Sequence, residues 1–118
     1  METANWGDKV PIEATILDAS LVPLIGKTDI KVDVRRVSDG MFFDFADSTF
    51  KGSGWTTRQA TMTEVDSTNA PGVYQYTLDT ALLPSNDEVY AVVVDQVPLD
   101  DAANVTQATH LKLVGALR

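Results

Sequence analysis

Cysteine is absent from this chain of 118 residues, and basic residues are scarce, with nine Lys and Arg against seventeen Asp and Glu. The missing cysteine excludes disulfides, thiolate nucleophiles and cysteine-based zinc sites. The formal net charge of −8 argues against binding to a phosphate backbone or to an anionic lipid surface. We therefore expect neither nucleic acid nor membrane among the partners.

Long apolar runs are also missing. No segment approaches the roughly 18 consecutive apolar residues that span a bilayer. Residues 1–10 lack the basic start and the apolar stretch of a secretory signal. These features predict a soluble protein that is made in the cytoplasm.

Few residues carry metal or catalytic chemistry. His110 is the only histidine, so we expect a solvent-facing strand residue and not a metal ligand or a catalytic base. Three acidic groupings lack the spacing of an EF-hand with its closing glutamate. They are Asp39, Asp44 and Asp47; Asp95, Asp100 and Asp101; and Asp87 with Glu88. The sequence predicts a non-enzyme with no cofactor and no metal; an acid/base enzyme built on Asp residues remains as a third hypothesis.

Alternation of apolar and polar residues is the main positive signal. Segment 71–78 opens with Pro-Gly and aligns Tyr74, Tyr76 and Leu78 on one face; the β-branched run 88–94 follows a short polar break. This pattern predicts two adjacent antiparallel strands. Further strands are predicted at 10–16, 30–37, 41–45, 56–65 and 105–114, with a turn at 38–40, loops at 18–27, 46–54 and 96–104, and one helical turn at most at 81–83.

Strands spaced by about ten residues, with no convincing helix, predict an all-β fold. The specific expectation is an antiparallel immunoglobulin-like β-sandwich of seven to eight strands. A content of 44 % hydrophobic residues and a mean hydropathy of −0.04 suit one core in a chain of this length. We expect a single domain at residues 10–118, preceded by a flexible N-terminal arm at residues 1–9.

Aromatic and terminal apolar residues are the candidate binding groups. Phe42 and Phe43 are adjacent and therefore point to opposite faces of a strand, so at least one meets a loop, a sheet edge or a partner. Trp6 either fills a partner's pocket or folds back onto its own sandwich. Trp55 follows the 46–54 loop, where an exposed ring suits sugar stacking. The residues predicted to bind a partner are Trp6, Phe42, Phe43, Trp55 and Leu117.

Several short motifs follow one another in a familiar order. They are Asp18, Pro23-Leu24-Ile25-Gly26, Ile30-Lys31-Val32, Arg35-Arg36-Val37-Ser38-Asp39-Gly40-Met41-Phe42-Phe43-Asp44, Trp55, Met62 and Pro71-Gly72-Val73-Tyr74. In this order the chain resembles small immunoglobulin-like modules of tailed-phage virion proteins, over residues 10–114. Such modules serve as capsid decoration proteins, head fibres and tail or baseplate accessories, and the resemblance implies no catalytic residues.

The leading hypothesis is accordingly a non-enzymatic structural virion protein, a capsid decoration protein that binds the outer shell. Its expected partner is a protein lattice such as a major capsid protein, which it binds as a monomer or small homo-oligomer after synthesis in the host cytoplasm. One alternative is a tail or baseplate accessory protein. The other is a carbohydrate-binding host-adhesion module that uses Trp55 and the loops at 46–54 and 96–104.

Overall fold

The computed structural model describes residues 2–83, 88–96 and 107–114, and strands dominate all three ranges. The strands are β1 (Glu2–Asn5), β2 (Lys9–Thr15), β3 (Ile30–Arg36), β4 (Phe42–Asp44), β5 (Thr49–Lys51), β6 (Ala60–Thr61), β7 (Thr63–Asp66), β8 (Ala70–Asp79), β9 (Val89–Gln96) and β10 (Gln107–Val114). Helical structure in the described ranges is confined to a 3₁₀ turn at Thr80–Leu82. Within them no helix is long and apolar enough to cross a membrane. The all-β class predicted from alternation is confirmed.

The strands form two sheets. The larger has the order β1-β10-β9-β3-β4-β5, with β6 also beside β3, and the smaller has the order β2-β8-β7. All these pairs are antiparallel except β1 and β10, which run parallel. One hydrophobic cluster joins both sheets, with Val32, Val34 and Val92 from the larger and Ile12 and Tyr74 from the smaller. The core therefore lies between the sheets.

Local sequence explains the first strands well. In β2 the residues Val10, Ile12 and Ala14 are buried and their neighbours are exposed, so one face meets the core. The predicted turn at 38–40 joins β3 to β4, and Gly40 has the positive φ of 73° that this turn requires. The predicted strands at 10–16 and 30–37 and this hairpin are confirmed.

The predicted adjacency of segments 71–78 and 88–94 is wrong. β8 lies between β2 and β7 in the smaller sheet, whereas β9 lies between β10 and β3 in the larger. The 3₁₀ turn and the buried Leu83 carry the chain from one sheet to the other. Alternation reports which face of a strand is buried and says nothing about which strand lies beside it.

Two middle segments also differ from expectation. The strand predicted at 56–65 is two strands, because β6 pairs with β3 in the larger sheet and β7 pairs with β8 in the smaller. Met62 lies between them, buried, and its N–H donates to the Ile30 carbonyl at 2.8 Å. The loop predicted at 46–54 contains β5, whose Phe50 packs against the core. Strands β5 and β6 have only three and two residues and are flanked by turn-forming residues.

The chain start was expected as a flexible arm, but the structure places it in the sandwich. Residues Glu2–Asn5 form β1 and pair with β10. Trp6 follows, packs against the core and donates its indole N–H to the Leu83 carbonyl at 2.8 Å. An edge strand is held by backbone hydrogen bonds, so it needs little of the apolar periodicity that was missing from this segment.

Candidate functional site

The connection between β2 and β3 carries the most exposed large aliphatic side chains of the described residues. Leu21 is 74 % exposed, Val22 54 % and Ile25 53 %. We call residues 17–26 the apolar loop. Singly exposed apolar side chains are ordinary, whereas three within five residues of one loop suggest contact with a partner.

One carboxylate organises the tip of the apolar loop. Asp18 accepts hydrogen bonds through Oδ1 from the N–H groups of Ser20 at 2.8 Å and Val22 at 3.0 Å. The Asp18 N–H donates to the Val22 carbonyl, and the Leu21 N–H donates to the Asp18 carbonyl, both at 2.9 Å. A short polar side chain that bonds the backbone two residues on is a typical turn former. The tip thus has a defined conformation although its apolar side chains face outward.

Strand β8 holds the base of the apolar loop. The Leu24 carbonyl accepts from the hydroxyl of Tyr74 at 2.9 Å, and the same hydroxyl accepts from the Lys27 N–H at 3.1 Å. Gly72 has φ of +80°, and a Cβ added to it would lie 2.8 Å from Pro23 Cβ and 2.9 Å from the Ile16 carbonyl oxygen. Only glycine therefore allows the loop to pack this closely on β8.

A second carboxylate ties the loop to β7. Glu64 accepts from the Gly26 N–H at 2.8 Å and from the Gly72 N–H at 3.3 Å. Burial raises the pKa of the Tyr74 hydroxyl, and the nearby Glu64 and Asp29 charges raise it further, while the Lys27 N–H and charge oppose this. Two carboxylates, Glu64 and Asp29, and one ammonium, Lys27, therefore act on the base of the loop.

Backbone strain lies at the tip of the loop. Leu21 has φ of +64°, and Ser48 is the only other non-glycine residue with a positive φ in the described chain. The left-handed conformation costs an L-residue with a large side chain on the order of 1–2 kcal/mol, whereas Asn and Asp tolerate it better. An exposed leucine in this conformation has no packing reason that the described structure supplies, so it suggests a function.

The predicted aromatic residues occupy two environments. Phe43 is 1 % exposed and belongs to the core, so in this fold it is not available to a partner. Phe42 and Trp55 are half-buried and meet edge to face at 6.0 Å, and the Trp55 indole N–H donates to the Phe42 carbonyl at 2.9 Å. The Arg58 guanidinium lies 4.7 Å from the Phe42 ring and 5.9 Å from the Trp55 ring. Leu117 lies outside the described residues.

Asp33, in β3, has an incompletely satisfied carboxylate. It is 5 % exposed; Oδ2 lies 3.5 Å from both Arg58 and Gln59, and Oδ1 has no hydrogen-bond partner among the described residues. Asp95, in the neighbouring β9, also has a buried Oδ1 that no residue in the described ranges bonds. Burial raises the pKa of both carboxyl groups, and the Arg58 charge partly offsets this. The surface around Asp33, Asp95 and Arg58 is therefore a second candidate binding region.

The predicted acidic grouping at 39–47 serves the fold. Asp44 is fully buried, and its carboxylate accepts from the Lys51 ammonium at 2.8 Å and from the N–H groups of Ala46, Thr56 and Thr57 at 2.9–3.0 Å. The Lys51 ammonium is the largest cause that lowers the pKa of Asp44. Lys51 also binds Asp47. Across the residues described, no three His, Asp or Glu side chains are grouped to hold a metal ion.

The sequence interpretation did not identify the apolar loop as a binding surface. Its signal was present as five consecutive apolar residues, 21–25, between a turn-forming Asp18 and Gly26. Without the tertiary structure, such a run is equally compatible with burial. His110 lies opposite Ala91 in the register of β9 and β10.

Comparison with known proteins adds no assignment to this geometry. The chain matches no protein-family model, no curated protein sequence and no solved structure. The sequence and the geometry of its own surface therefore carry the functional argument.

Proposed function

We propose that this protein is a non-enzymatic structural component of a virion, an immunoglobulin-like module that binds an assembled protein lattice such as a major capsid protein. The observation that carries the proposal is the apolar loop, in which Leu21, Val22 and Ile25 are exposed on a backbone fixed by Asp18, Tyr74 and Glu64. A preorganised apolar protrusion loses little conformational entropy when a partner covers it. This property suits a lattice-binding protein better than a catalyst.

Strand order supports the immunoglobulin-like part of the proposal. The order β10-β9-β3-β4-β5 corresponds to strands G-F-C-C′-C″ of a variable-type domain, and β2-β8-β7 corresponds to B-E-D. Three features depart from the antibody pattern. The inter-sheet disulfide is impossible without cysteine, and β3 has no tryptophan. In addition, β1 lies beside β10 and does not extend the smaller sheet.

The same correspondence gives the apolar loop a meaning. It joins β2 to β3, which is the B–C connection, and this connection lies at the end of variable-type sandwiches that carries their binding loops. A protein that presents this end to a lattice leaves both sheet faces outside the contact. We therefore place the lattice-binding surface at this end of the domain.

Quantitative mass spectrometry of virus particles purified from the source tests the proposal. We expect a fixed ratio of this chain to the shell subunit, approaching one copy per subunit or per cluster of subunits. A few copies per particle would place the protein at the tail or baseplate, the first alternative. Absence from the particles would overturn the virion proposal.

Host adhesion is the second candidate function, and the half-buried Trp55 favours it. Trp55, Phe42 and Arg58 lie together next to the Asp33 carboxylate, an arrangement of ring and charged groups that saccharides can contact. Glycan-array binding that Trp55→Ala abolishes without unfolding the domain would support adhesion. Retained glycan binding in that variant would exclude Trp55 as the platform.

A further inference from the structure

We infer that the apolar loop docks into an apolar pocket on the partner protein whose rim carries Lys or Arg side chains. This inference rests on the proposed function and names the chemistry of its partner.

The side chains at the tip of the apolar loop indicate that the partner's pocket is apolar. Leu21 and Val22 are consecutive and mostly exposed, and no charged residue lies between Asp18 and Lys27 along the chain. Because Asp18 uses its Oδ1 to fix the backbone of the tip, the two side chains are held outward before any partner arrives. Removing them from water gives the favourable free energy of contact.

The charged groups beside the apolar loop indicate that the rim of the partner's pocket is basic. The carboxylates that bond the loop are Asp18 and Glu64, Asp29 acts on its base, and Lys27 follows the loop in the chain. The chain as a whole has a charge of −8. Complementary potentials steer association and suppress wrong partners, so a basic rim fits this surface.

The same charges disfavour two other occupants. A second copy of this chain would bring an equally acidic surface against the first. An anionic bilayer would repel the carboxylates around the tip. A basic-rimmed protein pocket is the occupant that satisfies both the apolar tip and its acidic border.

The test measures binding of the full-length chain to shells assembled from the major capsid protein of the source. Leu21→Asp should weaken binding by more than about 10-fold, since it places a charge at the tip. Aspartate tolerates a positive φ, so the variant should keep its fold, which circular dichroism and thermal unfolding verify. Leu82→Asp is the matched control, because Leu82 is 52 % exposed in the 3₁₀ turn, far along the chain from the loop. It should bind within about two-fold of the unchanged protein.

A second variant tests whether the rim of the partner's pocket is basic. Glu64→Gln keeps an oxygen that can accept from the Gly26 N–H but removes the charge. We expect weaker binding at low salt and a shallower dependence of affinity on salt concentration. Asp39→Asn, a charge change in the β3–β4 turn, should leave the salt dependence unchanged.

The outcomes distinguish failure of the proposed function from failure of this inference alone. If the unchanged chain fails to bind the shells, the proposed function and this inference both fail. If it binds and Leu21→Asp binds equally well, only this inference fails. Self-association in sedimentation that Leu21→Asp abolishes, or binding to phosphatidylserine vesicles that it abolishes, would also overturn the inference in favour of a second copy or a lipid.

Discussion

Two loops of this protein are each organised by one aspartate, and they use their other side chains in opposite ways. In the apolar loop, Asp18 bonds backbone N–H groups at an exposed tip, and Leu21 faces solvent. In segment 44–57, which runs from the end of β4 through β5, Asp44 is fully buried and Phe50 packs inward against the core. Each of these segments also contains one of the two non-glycine residues that have a positive φ in the described part of the chain, Leu21 and Ser48.

Hydrogen bonds from backbone N–H groups to an aspartate fix the backbone of a turn, but they do not decide what the turn does. A carboxylate that accepts backbone N–H groups can order either kind of loop. What differs is the destination of the apolar side chains, which contribute to stability when buried and to recognition when exposed. Variants in the two loops can therefore separate stability from binding.

The largest expected effect comes from removing the two aspartates in turn. Asp44→Ala should lower the melting temperature by more than about 10 °C, because three part-buried N–H groups lose the buried carboxylate that accepts from them and Lys51 loses a partner. Asp18→Ala should lower it by only about 3–5 °C, because water can replace its bonds at the exposed tip. Thermal unfolding by circular dichroism measures both, and equal shifts would contradict the comparison.

A glycine pair gives the next effect. Gly72→Ala should reduce the free energy of unfolding by about 2–4 kcal/mol, because the new Cβ would lie 2.8 Å from Pro23 Cβ at a positive φ. Gly54→Ala is the control, since Gly54 also has a positive φ but a Cβ there meets nothing within 4 Å. It should cost about 1 kcal/mol in urea unfolding. A similar cost at both positions would show that the apolar loop does not pack on β8 as described.

The two strained residues give a smaller and more informative effect. Leu21→Asn should raise the free energy of unfolding by about 0.5–1 kcal/mol, because asparagine tolerates positive φ, yet it should weaken lattice binding. Ser48→Asn should also stabilise the protein but leave binding unchanged. If Leu21→Asn strengthened binding, the leucine side chain would not be a contact residue.

The smallest expected effect concerns pH and two buried carboxylates of the larger sheet. Burial raises the pKa of Asp33, so its ionised form destabilises the fold at neutral pH, and this penalty is relieved as the pH falls through the raised pKa. Asp44 has a lowered pKa, so its contribution is present above its unfolded-state value and is lost as the pH falls below it. Asp33→Asn should stabilise the protein by up to about 1 kcal/mol at pH 7 and remove the gain on mild acidification.

Urea unfolding between pH 4 and pH 7 measures that difference. The control is the unchanged protein, whose stability should rise relative to Asp33→Asn as the pH falls toward 4. Destabilisation by Asp33→Asn at pH 7 would mean that the contacts with Arg58 and Gln59 outweigh the burial cost of the charge.

Sequence patterns predicted the loop at 18–27 but not its place in the candidate site. Asp18 begins that predicted loop and Gly72 belongs to the Pro-Gly signal of segment 71–78, because turn formation is a local effect, but neither residue was predicted to shape a binding surface. Phe43 could not be assigned to the core in advance, since its strand has only three residues and Phe42 beside it is equally apolar. The exposure of Leu21 depends on how the loop packs on β8, which is a contact between residues about 50 positions apart.

Composition and neighbours a few residues apart were enough to predict the all-β class, the buried face of β2, the turn at Gly40 and the absence of any disulfide. In β3 alternation predicted the buried Ile30, Val32 and Val34 but not the burial of Asp33 between them. The tertiary structure alone decided that β8 and β9 belong to different sheets and that residues Glu2–Asn5 form a parallel edge strand. It also decided that the side chains of the apolar loop face outward while Phe43 faces inward. These outcomes depend on pairing between distant segments, which the period of a single strand does not encode.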